Sequence, residues 1–238
     1  MLLPPLFCLY GLIFSMTILQ QIVAGFRAMS GVEIAAVVTS FLCVYLTVKN
    51  NIWNWFWGFW GVVLYGIVFW QYRNYANFGL QVFYFLPIQF IGWWVWLRGG
   101  PKKHDDLPVT VLSPSARLLW IGVMAVLTGG LYALLRYGLP AWAPAWAPDP
   151  LPFADGLTTA GSIVAQYLQV YKRWENWALW IAVDVVYAFY VFPMQKLWAS
   201  ALLYMVFTVL AFIGARDWTK LLKTQAATRA VVAEAGGA

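Results

Sequence analysis

Charge is scarce in this chain. Only 10% of the 238 residues are Asp, Glu, Lys or Arg, against about a quarter in a soluble domain. Histidine occurs once, at His104, and cysteine twice, at Cys8 and Cys43. With one His in a hydrophilic loop, neither a clustered metal site nor a Ser/His/Asp triad can be assembled within the apolar segments. Both Cys lie in apolar runs and read as small hydrophobes. No Gly-x-x-x-x-Gly-Lys-[Ser/Thr] cradle for a nucleotide is present. The chain therefore predicts no enzyme, no catalytic residue, no metal and no cofactor. The net charge of +6 gathers at segment ends, so it argues for membrane topology and against a nucleic-acid partner.

Apolar residues are abundant. They make up 63% of the chain, with mean hydropathy +0.70 and 16 Trp. This composition predicts an all-α polytopic membrane protein embedded in a lipid bilayer. Eight apolar segments can be marked, at 4–24, 31–48, 55–73, 77–97, 116–138, 155–171, 176–194 and 197–219. Most approach the roughly 20 residues that cross a bilayer core. The first lacks a basic leader and is expected to be a retained helix rather than a cleaved signal. Placing the loops after segments 2, 4, 6 and 8 on one side collects eleven Lys and Arg, against four on the other. That bias puts the first side, and both termini, in the cytoplasm. The proline-rich 139–150 is expected to be an extended external linker, because proline supplies no helix donor.

A shift of 122 residues superposes the chain on itself. It aligns Tyr45 with Tyr167, Asn54 with Asn176, Trp55 with Trp177, Tyr65 with Tyr187, Leu80 with Leu202, Gly92 with Gly214 and Trp96 with Trp218. Segments 2–4 then match 6–8, with segment 5 as connector. The expected architecture is a seven-helix 3+1+3 core of parallel repeats plus an extra N-terminal helix. Its divisions are 1–28 for the extra helix, 29–100 for the first repeat and 101–150 for the linker helix and flanking loops. The second repeat takes 151–222, and 223–238 is a frayed tail. A parallel-repeat transporter binds its solute near the midplane, between the halves.

Asn176, Trp180, Asp184 and Tyr187 fall at i, i+4, i+8 and i+11 and so share one helix face. The matching face of segment 3 is Asn54, Gly58, Val62 and Tyr65, which is smaller and less polar. Segment 4 carries a stripe including Gln81, Tyr84, Gln89, Gly92 and Trp96, with Pro87 inviting a kink. Segment 6 carries Thr158 or Thr159, Ser162, Gln166 and Gln169. Plainer readings stand beside each. Polar residues on facing helices often glue them together, and Asn54 and Asn176 sit where helices are capped. Trp near segment ends often belongs to an interface belt, and the glycines allow close packing. A carboxylate in mid-helix, Asp184, is the hardest to explain structurally.

Taken together, certain marks resemble the PnuC family of bacterial vitamin transporters. These are Asn54-Trp55 with Gly58, Leu80-Gln81-x-x-Tyr84 leading to Gly92-Trp93-x-x-Trp96, and Asp155, Thr159, Ser162 and Ala165-Gln166. They continue with Lys172, Glu175-Asn176-Trp177, Trp180, Leu203-Tyr204, Gly214 and Trp218. Ile91, Phe56 and Met194-Gln195-Lys196-Leu197-Trp198 depart from that pattern. The resemblance implies a SWEET-like fold, a homotrimer in the bacterial inner membrane, and facilitated diffusion of nicotinamide riboside by alternating access. It also implies coupling to a cytoplasmic riboside kinase that traps the vitamin. Thiamine or riboflavin on the same fold is the alternative. The substrate-binding residues expected on this basis are Asn54, Trp55, Gln81, Tyr84, Gln89, Trp93, Gln166, Asn176, Trp177, Trp180, Asp184 and Tyr187. Ring stacking is expected chiefly at Trp177, Trp180 or Tyr84. Pro87, Pro193, Gly58 and Gly92 are the expected gate or hinge positions.

Overall fold

A computed structural model describes residues 18–71, 75–99, 107–143, 149–195 and 197–236. Most of the first apolar segment, the linker around His104 and the prolines and Trp of 144–148 lie outside these residues. The described chain is helical, with a single isolated β-bridge. Its helices are α1 (18–28), α2 (Gly31–Val48), α3 (Asn54–Gln71), α4 (75–98), α5 (Pro114–Trp142), α6 (Pro152–Val170), α7 (Glu175–Met194) and α8 (Trp198–Gly236).

Local chemistry sets several starts. Ser30 caps α2, accepting from the Glu33 amide at 3.2 Å, while the Glu33 carboxylate accepts from the Ser30 amide at 2.6 Å. Ser113 accepts from the Ala116 amide and Pro114 opens α5, where no donor is needed. Five of the described helical stretches are long and apolar enough to cross a membrane: Gly31–Val48, Asn77–Arg98, Pro114–Trp142, Glu175–Met194 and Trp198–Ala230. α6 is the more polar of the remaining long helices, because of its Asp, Thr, Ser and Gln.

Two ends differ from expectation. α5 runs through Pro140 to Trp142 rather than stopping at 138, because a wide turn at Leu134–Gly138 lets the Leu139 amide reach back to the Leu134 carbonyl. α8 continues through Gly236, past Lys223, where a frayed tail was expected. The Ala-rich sequence there has high helix propensity.

α2 packs on α3 and α8, α3 on α4, α4 on α6, and α6 on α5 and α7, with α7 against α8. Two indoles tie distant helices. Trp96 donates to the Val170 carbonyl at 3.1 Å, at the end of α6. Trp218 donates to the Thr47 carbonyl at 3.1 Å, at the end of α2. With Trp55, Trp177, Val48, Val170 and Ala211 they form a core cluster at the end of the bundle where Lys49, Arg173 and Asp217 gather, the basic end. At the same end Thr110 bridges to the turn before α7. Its amide donates to the Lys172 carbonyl at 3.0 Å and its carbonyl accepts from the Trp174 amide at 2.8 Å.

Candidate functional site

The turns before α3 and α7 have the same geometry. Asn50 (φ 51°) and Lys172 (φ 48°) are both left-handed. Four residues later, the Asn54 side-chain amide donates to the Asn51 carbonyl at 2.7 Å, and that of Asn176 to the Arg173 carbonyl at 2.5 Å. Both Asn are fully buried, and both leave the side-chain oxygen without a partner. Next in sequence, the Trp55 and Trp177 rings are sealed in the core cluster, edge-on to Trp96 at 5.5 Å and to Trp218 at 5.4 Å. A Cβ placed on Gly92 would strike the Trp55 ring, and one on Gly214 the Trp177 ring. These four expected site residues therefore sit together as packing at the basic end. Trp93 joins them at the edge, T-shaped against Trp53 at 5.8 Å. The Lys172 ammonium lies over the Trp96 ring, 4.1 Å from its centre, an arrangement that suits a buried cation.

Farther along the bundle the polar groups are less satisfied. Gln89 is buried on α4 with its amide against Gly58, whose missing side chain makes the room, and Gln89 Oε1 has no partner. Gln81 Oε1 is likewise buried and unpartnered. It borders a cavity of about 460 Å³ between α3 and α4, lined otherwise by apolar residues including Val62, Gly66 and Val82. A buried acceptor without a donor costs on the order of 1–3 kcal/mol. Two such acceptors on one helix suit a ligand carrying hydroxyl donors.

The remaining expected residues divide by what they touch. The Tyr84 hydroxyl donates to the Ile163 carbonyl at 2.6 Å, linking α4 to α6. The Trp180 indole donates to Gln169 Oε1 at 3.1 Å, so Gln169 is interhelical glue. Ser162 and Thr158 donate to carbonyls of their own helix. Gln166 is buried about one turn before Gln169. Asp184, 6% exposed, lies beside an aromatic group in which Tyr187 stacks on Phe192 at 5.1 Å and meets Tyr204 at 5.0 Å. Tyr204 was not among the expected site residues. Its position on the 122-residue offset holds Val82, so the repeat could not point to it. The signals for it were a tyrosine inside an apolar helix and its place in the Leu203-Tyr204 mark of the family resemblance.

Pro87 and Pro193 each stand two residues beyond a wide turn, at Gln81–Phe85 and Tyr187–Val191. In each, the amide following the turn bonds five residues back, Leu86 to Gln81 and Phe192 to Tyr187. A proline cannot bond the carbonyl four residues earlier, and the backbone widens to accommodate it.

The family model described as nicotinamide mononucleotide transporter matches residues 30–220. The chain is 32% identical over 211 residues to the nicotinamide riboside transporter PnuC of Escherichia coli, covering 82% of this chain and 87% of that protein. It is 28% identical over 221 residues to the nicotinamide riboside transporter PnuC of Neisseria mucosa, covering 86% and 78%. The fold is similar to that in the crystal structure of the vitamin B3 transporter PnuC, with TM-score 0.64 and 26% identity, over 88% of this chain and 92% of that one. The chain belongs to the nicotinamide mononucleotide transporter family of multi-pass membrane proteins, the family of these PnuC relatives.

Proposed function

We propose that this protein carries nicotinamide riboside across the membrane by facilitated diffusion with alternating access. The observation that carries the reading, beside the family, is the pair of orphaned acceptors Gln81 Oε1 and Gln89 Oε1, which suit ribose hydroxyls. Trp180, Tyr84, Gln166 and Tyr187 line the same path, and Asn54, Trp55, Trp93, Asn176 and Trp177 build its wall at the basic end. The family description names the mononucleotide, whereas the relatives are named for the riboside. α2, α3, α6 and α7 contain no Lys or Arg, and Arg98 of α4 and Lys172 lie at the basic end beyond Gln81 and Gln89. No cation among the described residues therefore stands beside these acceptors to receive a phosphate, which favours the riboside.

The wider arrangement belongs to the same proposal. A 3+1+3 core of parallel repeats, divided at 29–100, 101–150 and 151–222, follows an extra helix over 1–28. The equal turns before α3 and α7, and the reciprocal Trp96 and Trp218 bonds, support this repeat. Pro87, Pro193, Gly58 and Gly92 serve as hinges. A homotrimer in the bacterial inner membrane, cytoplasmic termini and trapping by a riboside kinase have the family resemblance as support, and the basic end is the cytoplasmic one.

The test is uptake into proteoliposomes. Nicotinamide riboside is expected to enter, to be competed poorly by its 5'-phosphate, and to be excluded by Gln89→Leu in protein that remains folded. Equal uptake of the phosphate would overturn the site, and selective uptake of thiamine or riboflavin would reassign the substrate.

A further inference from the structure

Asp184 lies eight residues into α7 from Asn176, about 12 Å along the axis and hence near mid-membrane. It is buried, and no hydrogen bond or ion pair reaches its carboxylate from any described residue. The tyrosines within its electrostatic reach are Tyr187 and Tyr204, and Tyr187 is also within reach of the Asp155 carboxylate at the start of α6. Tyr187, Phe192 and Tyr204 form a compact aromatic group beside it, with ring centres 4.9 to 5.1 Å apart. The equivalent position in the first half is Val62, so this mid-helix carboxylate has no mate on the 122-residue offset.

A lone carboxylate in lipid surroundings is costly unless a cation meets it. α2, α3, α6 and α7 supply none, and α8 carries its first, Arg216, twelve residues beyond Tyr204 at the basic end. Aromatic faces beside an acid are the surroundings that receive an organic cation whose charge is spread over a ring. We infer that Asp184, with Tyr187, Phe192 and Tyr204, is the counter-ion site for a monocationic, N-substituted aromatic ring, and that it sets a preference for charged over neutral rings of the same shape. This deepens the proposed function and rests on it: the ribosylated pyridinium is such a cation, and its dihydro form is the neutral counterpart.

The experiment compares uptake of nicotinamide riboside with uptake of its neutral 1,4-dihydro analogue, in wild-type protein and in Asp184→Asn, Asp184→Glu and Tyr204→Phe. Wild type is expected to prefer the cation by on the order of tenfold to a hundredfold. Asp184→Asn, nearly the same shape, should lose that preference while uptake of the dihydro form is kept or raised, and Asp184→Glu should retain part of it. Equal loss of both substrates in Asp184→Asn, or an unchanged ratio, overturns the inference. If wild type transports neither riboside, the functional reading fails separately. The charge site is then decided by melting temperature with the cation 1-methylnicotinamide against neutral nicotinamide. A cation-only shift that disappears in Asp184→Asn upholds it, and the lack of any such preference overturns it.

Discussion

Gly92 and Gly214 show how much a single hydrogen atom in place of a methyl can determine. Each lets an indole lie flat against backbone in a region with no spare volume. Gly214→Ala forces the Trp177 ring to move, and with it the edge contact to Trp218. Loss of about 1–3 kcal/mol is expected, read as a lower melting temperature of the detergent-solubilised protein. Gly58→Ala behaves differently, because the nearest atom in its way is the end of a flexible Gln89 side chain, with Cys43 Sγ next at 3.1 Å. That variant should fold with near-normal stability while riboside affinity falls, measured by titration calorimetry. A large stability loss with affinity intact would assign Gly58 to packing instead. The indole bonds of Trp96 and Trp218 are worth about 1 kcal/mol each, so Trp218→Phe should cost about that much, the Thr47 carbonyl keeping its bond from the Asn50 amide.

The helices carry a recurring device. α4, α5 and α7 each contain a turn of i→i+5 bonding, and in each a proline follows two residues after it, at Pro87, Pro140 and Pro193. The widened turn leaves a carbonyl without its usual donor, which is where a helix bends most easily. Pro193→Ala restores a donor and allows α7 to close into regular helix. Thermal stability is expected to hold or rise by up to about 1 kcal/mol, while the transport rate falls severalfold with riboside binding unchanged. Initial-rate uptake beside equilibrium binding separates these effects, and an unaltered rate would remove Pro193 from the hinges.

Across the molecule, the basic end is held by more than hydrophobic packing. The segment before α5 is strapped to the second half. The Glu175 carboxylate accepts from the Leu112 amide at 3.0 Å and pairs with Arg117 at 2.8 Å. Glu175→Gln keeps one acceptor and loses the charge, and a cost of about 1–3 kcal/mol in thermal unfolding is expected. Asp217→Asn removes exposed pairs with Lys49, Arg216 and Lys220, and should cost no more than about 1 kcal/mol, fading with added salt. Equal effects of the two variants would mean that the strap does not brace the bundle.

Much of this was legible before any coordinates. Composition and segment length dictate membrane helices, since a backbone in lipid must satisfy its own hydrogen bonds. The spacing of Asn176, Trp180, Asp184 and Tyr187 follows from the fixed turn of a helix, and the 122-residue offset pairs Asn50 with Lys172, which have the same left-handed backbone. These are local properties, and local spacing carries them. Which apolar face looks inward is another matter, because lipid and protein core are equally apolar and hydropathy reads the same for both. Only the packing assigns Trp55 and Trp177 to a sealed core while leaving Gln81 and Gln89 with empty acceptors. Only it brings Tyr204, whose repeat mate is a valine, against Tyr187 and within reach of Asp184, because burial and partners depend on side chains that chain order does not place together.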